Sequence, residues 1–134
     1  MTGYSSTPLY KKLGIKENSR VIFINEPSDF KESLGELPYY IVAKNKLDGN
    51  FDYIHIFSKS KEDLETLFRQ AFVHLKKDGA LWVSWPKKTS GVVTDLDENI
   101  IRGIGLKNGL VDVKVAAIND IYSGLKFVYR IKDR

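Results

Sequence analysis

The chain has no cysteine among its 134 residues. That excludes a disulfide framework, a thiolate nucleophile and any cysteine-ligated metal. Only two histidines are present, so a histidine-rich metal site is excluded too. No apolar run approaches the roughly 18 residues of a membrane span. The segment Met1 to Leu9 is polar and lacks the apolar stretch of a signal peptide. The expectation is a cytoplasmic protein with no membrane contact. Internal repeats and low-complexity tracts are absent. So is a dominant charge sign: Lys+Arg 21 against Asp+Glu 17 leaves a net +4. The lysines are interspersed with acids and no aromatic platform or known module accompanies them, so no nucleic-acid partner is expected. What is present is ordinary for a folded protein, 43% hydrophobic and 28% charged residues, and residues 1–134 read as one domain.

Strand and helix signals alternate along the chain. Thr7-Pro8 opens a short helix, with Thr as N-cap and Pro at the first helical position, and Gly14 closes it. Val21 to Ile24 is a continuous apolar run, the pattern of a strand covered on both faces. Ser28 to Leu34 reads as a short helix stopped by Gly35, and Tyr39 to Ala43 as a second strand. After turn chemistry at Asp48-Gly49-Asn50, Phe51 to Phe57 is a third strand. Ser60 caps the clearest helix. Its stripe of Leu64, Leu67, Phe68, Ala71, Phe72 and Leu75 has helical spacing, and Gly79 is placed as its C-terminal stop. Ala80 to Trp85 is a fourth strand. A loop over Lys87 to Val93 leads to a helix from about Asp95, with Asp95 and Glu98 as its cap pair and Gly109 as its stop. Leu110 to Ile118 and Leu125 to Ile131 are two more strands, joined by a connection too short for a crossover helix, so they pair antiparallel. The whole predicts an α/β, Rossmann-like three-layer sandwich. Its mixed sheet has about six strands and ends in an antiparallel hairpin.

The run Phe51-Asp52-Tyr53-Ile54-His55-Ile56, the long helix, and Leu75-Lys76-Lys77-Asp78-Gly79-Ala80-Leu81-Trp82-Val83 resemble the later half of class I S-adenosylmethionine-dependent methyltransferases. The resemblance implies strand order 2-1-3-4-6-5 in chain numbering, with the methyl donor over the carboxyl ends of the first strands. The parts that would bind the donor differ. The turn after the first strand reads Ile24-Asn25-Glu26-Pro27-Ser28, with no glycine and one N–H fewer at Pro27. The end of the second strand reads Ala43-Lys44-Asn45-Lys46, where the family has an acid for the ribose. A strand-and-helix unit before Phe51 is missing, and Ser58-Lys59-Ser60 stands where an aromatic catalytic motif would follow the third strand. The runs Thr7 to Gly14, Trp85 to Val92 and Tyr122 to Lys126 are similar to a second family, small bacterial proteins catalogued as domain of unknown function 3052. That likeness implies a small bacterial Rossmann-like protein and carries no activity with it.

In an open α/β sheet, ligands bind outside the carboxyl ends of the strands. Those ends carry Asn25, Lys44, Lys46, Lys59 and the loop Lys87-Lys88-Thr89-Ser90. Lysines and hydroxyls together point to a small anionic ligand, whereas a plainly solvated set of loops accounts for the same residues. The candidate ligand-binding residues are Lys87, Lys88, Thr89, Ser90, Lys44, Lys59 and Asn25. Lys126, alternating with Leu125 and Phe127, reads as solvent-facing, and Gly124 as a turn or bulge residue. His55 reads as a satisfied, buried histidine, and His74 as exposed. Trp82 and Trp85, three apart on a strand, face opposite sides. No catalytic residue, metal site or cofactor is assigned. The expectation is a non-catalytic, methyltransferase-like module for a small anion or a protein partner. An S-adenosylmethionine-dependent methyltransferase with a degenerate donor site, holding the donor over Asn25, Glu26 and Ser58, is the alternative, and an interaction protein that dimerises through a sheet edge or helix face is a third reading.

Overall fold

A computed structural model describes residues 7–38 and 41–134. In chain order the elements are α1 (Leu9–Leu13), β1 (Arg20–Ile24), α2 (Phe30–Leu34), β2 (Val42–Lys44), β3 (Phe51–Phe57), α3 (Lys61–Phe72), β4 (Leu75–Pro86), α4 (Glu98–Lys107), β5 (Leu110–Ala117) and β6 (Tyr122–Tyr129). The six strands form one sheet in the order β2-β1-β3-β4-β6-β5, the order that the methyltransferase resemblance implies. β1 to β4 run parallel, and β6 returns antiparallel between β4 and β5.

The apolar runs are continuous because both faces of the sheet are covered. Ile22, Ile54, Ile56, Leu81 and Val83 pack with Leu64, Phe68 and Ala71 of α3 and Ile101 and Ile104 of α4. Val21, Phe23, Tyr53, Phe57 and Trp82 point the other way and pack with Leu13, Phe30 and Leu34 of α1 and α2. Trp85 belongs to the first core and Trp82 to the second, so the two indoles face opposite sides. Helix α4 comes very near the sheet at Gly105, where an added Cβ would stand 2.0 Å from Phe127 Cε1. A side chain there would displace the helix or the ring.

Several local expectations are corrected. Helix α3 stops at Phe72, and Leu75 to Asp78 is the start of β4 rather than a helix end. The Phe51 N–H donates to His74 O at 2.7 Å, and Leu75 pairs with Phe51, so this stretch gains strand hydrogen bonds that outweigh its helical spacing. Gly79 is therefore a strand residue, needed because a Cβ would lie 2.8 Å from Asp52 O. Pro8, not Thr7, occupies the cap position of α1, while Gly14 closes it with φ of 86°. Asp97 caps α4 by accepting from Ile100 N at 2.8 Å. Asp95 instead accepts from Lys61 N at 2.8 Å, on the first turn of α3. The second strand begins at Val42, and the part expected at Tyr39 and Tyr40 lies outside the described residues. β6 starts at Tyr122, so Gly124 is inside a strand. A Cβ on it would meet Ile118 Cδ1 at 2.9 Å and Trp82 Cε3 at 3.1 Å.

Candidate functional site at the carboxyl edge of the sheet

β1 ends at Ile24, and the chain turns away through Asn25 with φ of 59°. This is the left-handed region, open to glycine and, among residues with a side chain, most readily to asparagine. Asn25 thus makes without glycine a turn that the sequence leaves looking unequipped. The turn borders a cleft of about 620 Å³ at the ends of β1 and β2, lined by Asn25, Glu26, Lys31, Lys44 and Asn45 together with Ile22 to Ile24 and Ala43. A second cleft, about 300 Å³, lies at the end of β3, lined by Asn25, Phe57, Ser58, Lys59, Ser60, Asp63 and Tyr122. Asn25 is common to both.

The walls of the second cleft are held by local hydrogen bonds. Ser60 Oγ accepts from Asp63 N at 3.3 Å and caps α3, and Ser58 Oγ donates to Ser60 O at 3.1 Å. Lys59 O accepts from Thr94 Oγ1 at 2.6 Å, and Lys59 is exposed. Burial, and after it the charge of Asp29, raises the pKa of the Tyr122 phenol above its ordinary value.

The structure divides the seven candidate residues. Lys44, Lys59 and Asn25 line the two clefts. Lys87, Lys88, Thr89 and Ser90 line neither. Their loop folds into a single 3-10 turn over Lys88–Ser90, closed by Gly91 at φ of 78°. Ser90 Oγ donates to Lys87 O at 2.6 Å and accepts from Val92 N at 3.1 Å, so its hydroxyl serves the turn. The Lys87 N–H ties the loop to Ile121 O at 2.8 Å. Glu26 and Ser58, which the donor-binding alternative names with Asn25, line the first and the second cleft. Lys31 and Asn45 are cleft residues that neither reading contained, and for Asn45 its adjacency to Lys44 was the available signal.

Of the two histidines, His55 is fully buried, stacked on Phe57 at 4.5 Å between centroids. Its Nδ1 lies 2.8 Å from Tyr53 Oη and its Nε2 2.6 Å from Ser84 Oγ. Burial lowers its pKa to about 3. His74 is only partly exposed, with Nδ1 2.6 Å from Gly49 O. Lys126 is a correction: it is half-buried rather than solvent-facing. Among the described residues no group of three His, Asp or Glu is placed to hold a metal ion. No helix among them is long and apolar enough to cross a membrane.

No family model matches the chain, and no curated protein matches it. The likeness to domain of unknown function 3052 is thus not confirmed. Solved structures do match. A magnesium protoporphyrin IX methyltransferase from Synechocystis PCC 6803 with bound SAM superposes with a TM-score of 0.62 at 12% identity, covering 91% of this chain and 74% of that one. A SAM-dependent methyltransferase from Aquifex aeolicus gives 0.61 at 12%, covering 87% and 85%. A methyltransferase from Pyrococcus furiosus gives 0.55 at 16%, covering 88% and 78%. At these identities the likeness is one of fold. The chain has the Rossmann-like fold of SAM-dependent methyltransferases.

Proposed function

We propose that the cleft between β1 and β2 holds S-adenosylmethionine or its demethylated product, in a donor site rebuilt without glycine. The observation that carries this reading is Asn25, which takes a left-handed turn at the floor of an open cleft at the ends of β1 and β2. The methyltransferase-like fold supports it, because the resemblance drawn from the sequence puts the donor over these strand ends. The residues present fit the group in altered form. Glu26, one step past Asn25, offers a carboxylate to ribose hydroxyls in place of an acid on β2. Lys31 and Lys44 offer ammonium groups to the carboxylate of the methionine portion. S-adenosylmethionine, when bound, supplies an electrophilic methyl group. The second cleft, sharing Asn25, is the adjoining space for a molecule that would accept it.

The same lysines favour a second reading, a non-catalytic module for a small anionic ligand. Thermal shift and calorimetry with S-adenosylmethionine, S-adenosylhomocysteine and ADP separate the readings. Ligand at about 100 times its dissociation constant adds roughly 2.7 kcal/mol, several degrees for a domain of this size. Saturable S-adenosylhomocysteine binding that is lost in Asn25→Val supports the first reading. Binding of ADP alone, lost on Lys31→Ala with Lys44→Ala, supports the second. No binding of any of the three at millimolar concentration overturns both.

A further inference from the structure

The opposite edge of the sheet carries a basic cluster that the cleft does not use. We propose that Lys16, Lys114 and Lys126 form a second site, which binds a phosphate-class oxyanion on a small molecule. Lys114 and Lys126 are direct partners across the β5–β6 ladder, so two like charges stand side by side on one face. Such a pair opposes folding unless something offsets it. Lys126 is also the partner of Trp82 on β4. The Trp82 indole N–H donates to Leu13 O at 2.8 Å and draws the end of α1 down onto this face. Gly14 then lies over the lysine: a Cβ on it would stand 3.7 Å from Lys126 Nζ. Lys16 follows two residues on, and Lys16, Gly14 and Lys126 line one groove of about 270 Å³.

The ammonium of Lys126 is held by no carboxylate among the described residues. Burial, and after it the charges of Lys114 and Lys16, push its pKa down. Three carboxylates line the groove, and none is ion-paired with Lys126. Asp52 is already held by Lys76 Nζ at 3.1 Å and by the Arg20 N–H at 2.8 Å. Glu17 and Asp78 are exposed, where water screens them. Lys114 spends one of its three hydrogens on Lys12 O, at 2.9 Å, and keeps two. Two ammonium donors in the groove, with Lys114 beside Lys126 on the ladder, suit a compact anion with several oxygens and more than one charge. A single carboxylate would leave donors unused.

Calorimetric titration of the full chain with inorganic pyrophosphate at low salt tests the site. The expected result is saturable binding, weakened at least tenfold in Lys126→Met and in Lys16→Met, kept in Lys126→Arg, and unchanged in Lys31→Ala with Lys44→Ala. Lys16 is exposed, so its substitution reports on the site even where a change at Lys126 disturbs folding. Without pyrophosphate, Lys126→Met should melt higher than the parent, because a repelled charge is gone and its stem is kept. Unchanged pyrophosphate affinity in Lys16→Met and Lys126→Met overturns the proposal, as does loss of binding confined to the Lys31 and Lys44 variant.

Discussion

His55 Nε2 and Ser84 Oγ lie 2.6 Å apart, joining β3 to β4 by a polar bond inside an aromatic core. Tyr53 Oη, 2.8 Å from Nδ1, completes a chain of three side chains with both ring nitrogens engaged. Phe23, Phe30, Phe57 and Trp82 surround the ring, so the imidazole is neutral in the folded protein. The folded-state pKa of about 3 lies below the ordinary 6.5, so the unfolded chain takes up the proton first. The stability this residue contributes is complete above about pH 6.5 and is lost as pH falls towards 3. Urea titrations should show His55 alone costing about 1.4 kcal/mol per pH unit across that window. His55→Phe should flatten that part of the profile. An unchanged slope would place the acid sensitivity elsewhere.

Ser84→Ala removes one partner and leaves a buried ring nitrogen unsatisfied. The expected loss is about 1–3 kcal/mol at neutral pH, read from the urea midpoint.

Gly105→Ala should cost at least 1–3 kcal/mol, as overpacking does, even though alanine favours helix by about 1 kcal/mol. The reason is the 2.0 Å approach of an added Cβ to the Phe127 ring. Gly103 lies on the same helix with nothing within 4 Å of its added Cβ, so Gly103→Ala should be neutral or stabilising. Equal effects at the two positions would refute the packing argument.

At Asn25 the turn and the ligand separate. Asn25→Gly keeps a left-handed φ available and should fold with nearly the parent stability. Asn25→Val forces a β-branched side chain into that region, with a strain of order 1–3 kcal/mol, and should lose the ligand as well. Denaturation and binding measured on the same two variants check both halves.

Asp97→Ala should destabilise α4 by about 1 kcal/mol through the lost cap bond to Ile100 N. Asp95→Ala should act on α3 instead, through Lys61 N, and hydrogen exchange at the two helix starts distinguishes them.

Much of this architecture is a property of the residues in order. The continuous apolar run at Val21 to Ile24 and the strand pattern at Phe51 to Phe57, with an amphipathic helix after them, point to a sheet covered on both faces, and the short connection before Leu125 points to an antiparallel return. Such patterns are read within a few residues, because burial on one or two faces imposes a period on the chain. The strand order followed from the methyltransferase resemblance, and the structure has it. What tertiary structure decided depends on distant partners. Leu75 to Asp78 had helical spacing and became strand because Phe51 was there to bond it. Lys126 had the alternation of an exposed residue and became half-buried because Trp82 holds the end of α1 above it. Lys44 and Lys59 reached clefts while the Lys87 to Ser90 loop turned its hydroxyl inward, a difference set by the turn each loop adopts. Asn25 looked like a missing glycine until its backbone showed the left-handed turn. Residue type and spacing constrain which face a side chain takes, and only the packed neighbour determines what that face meets.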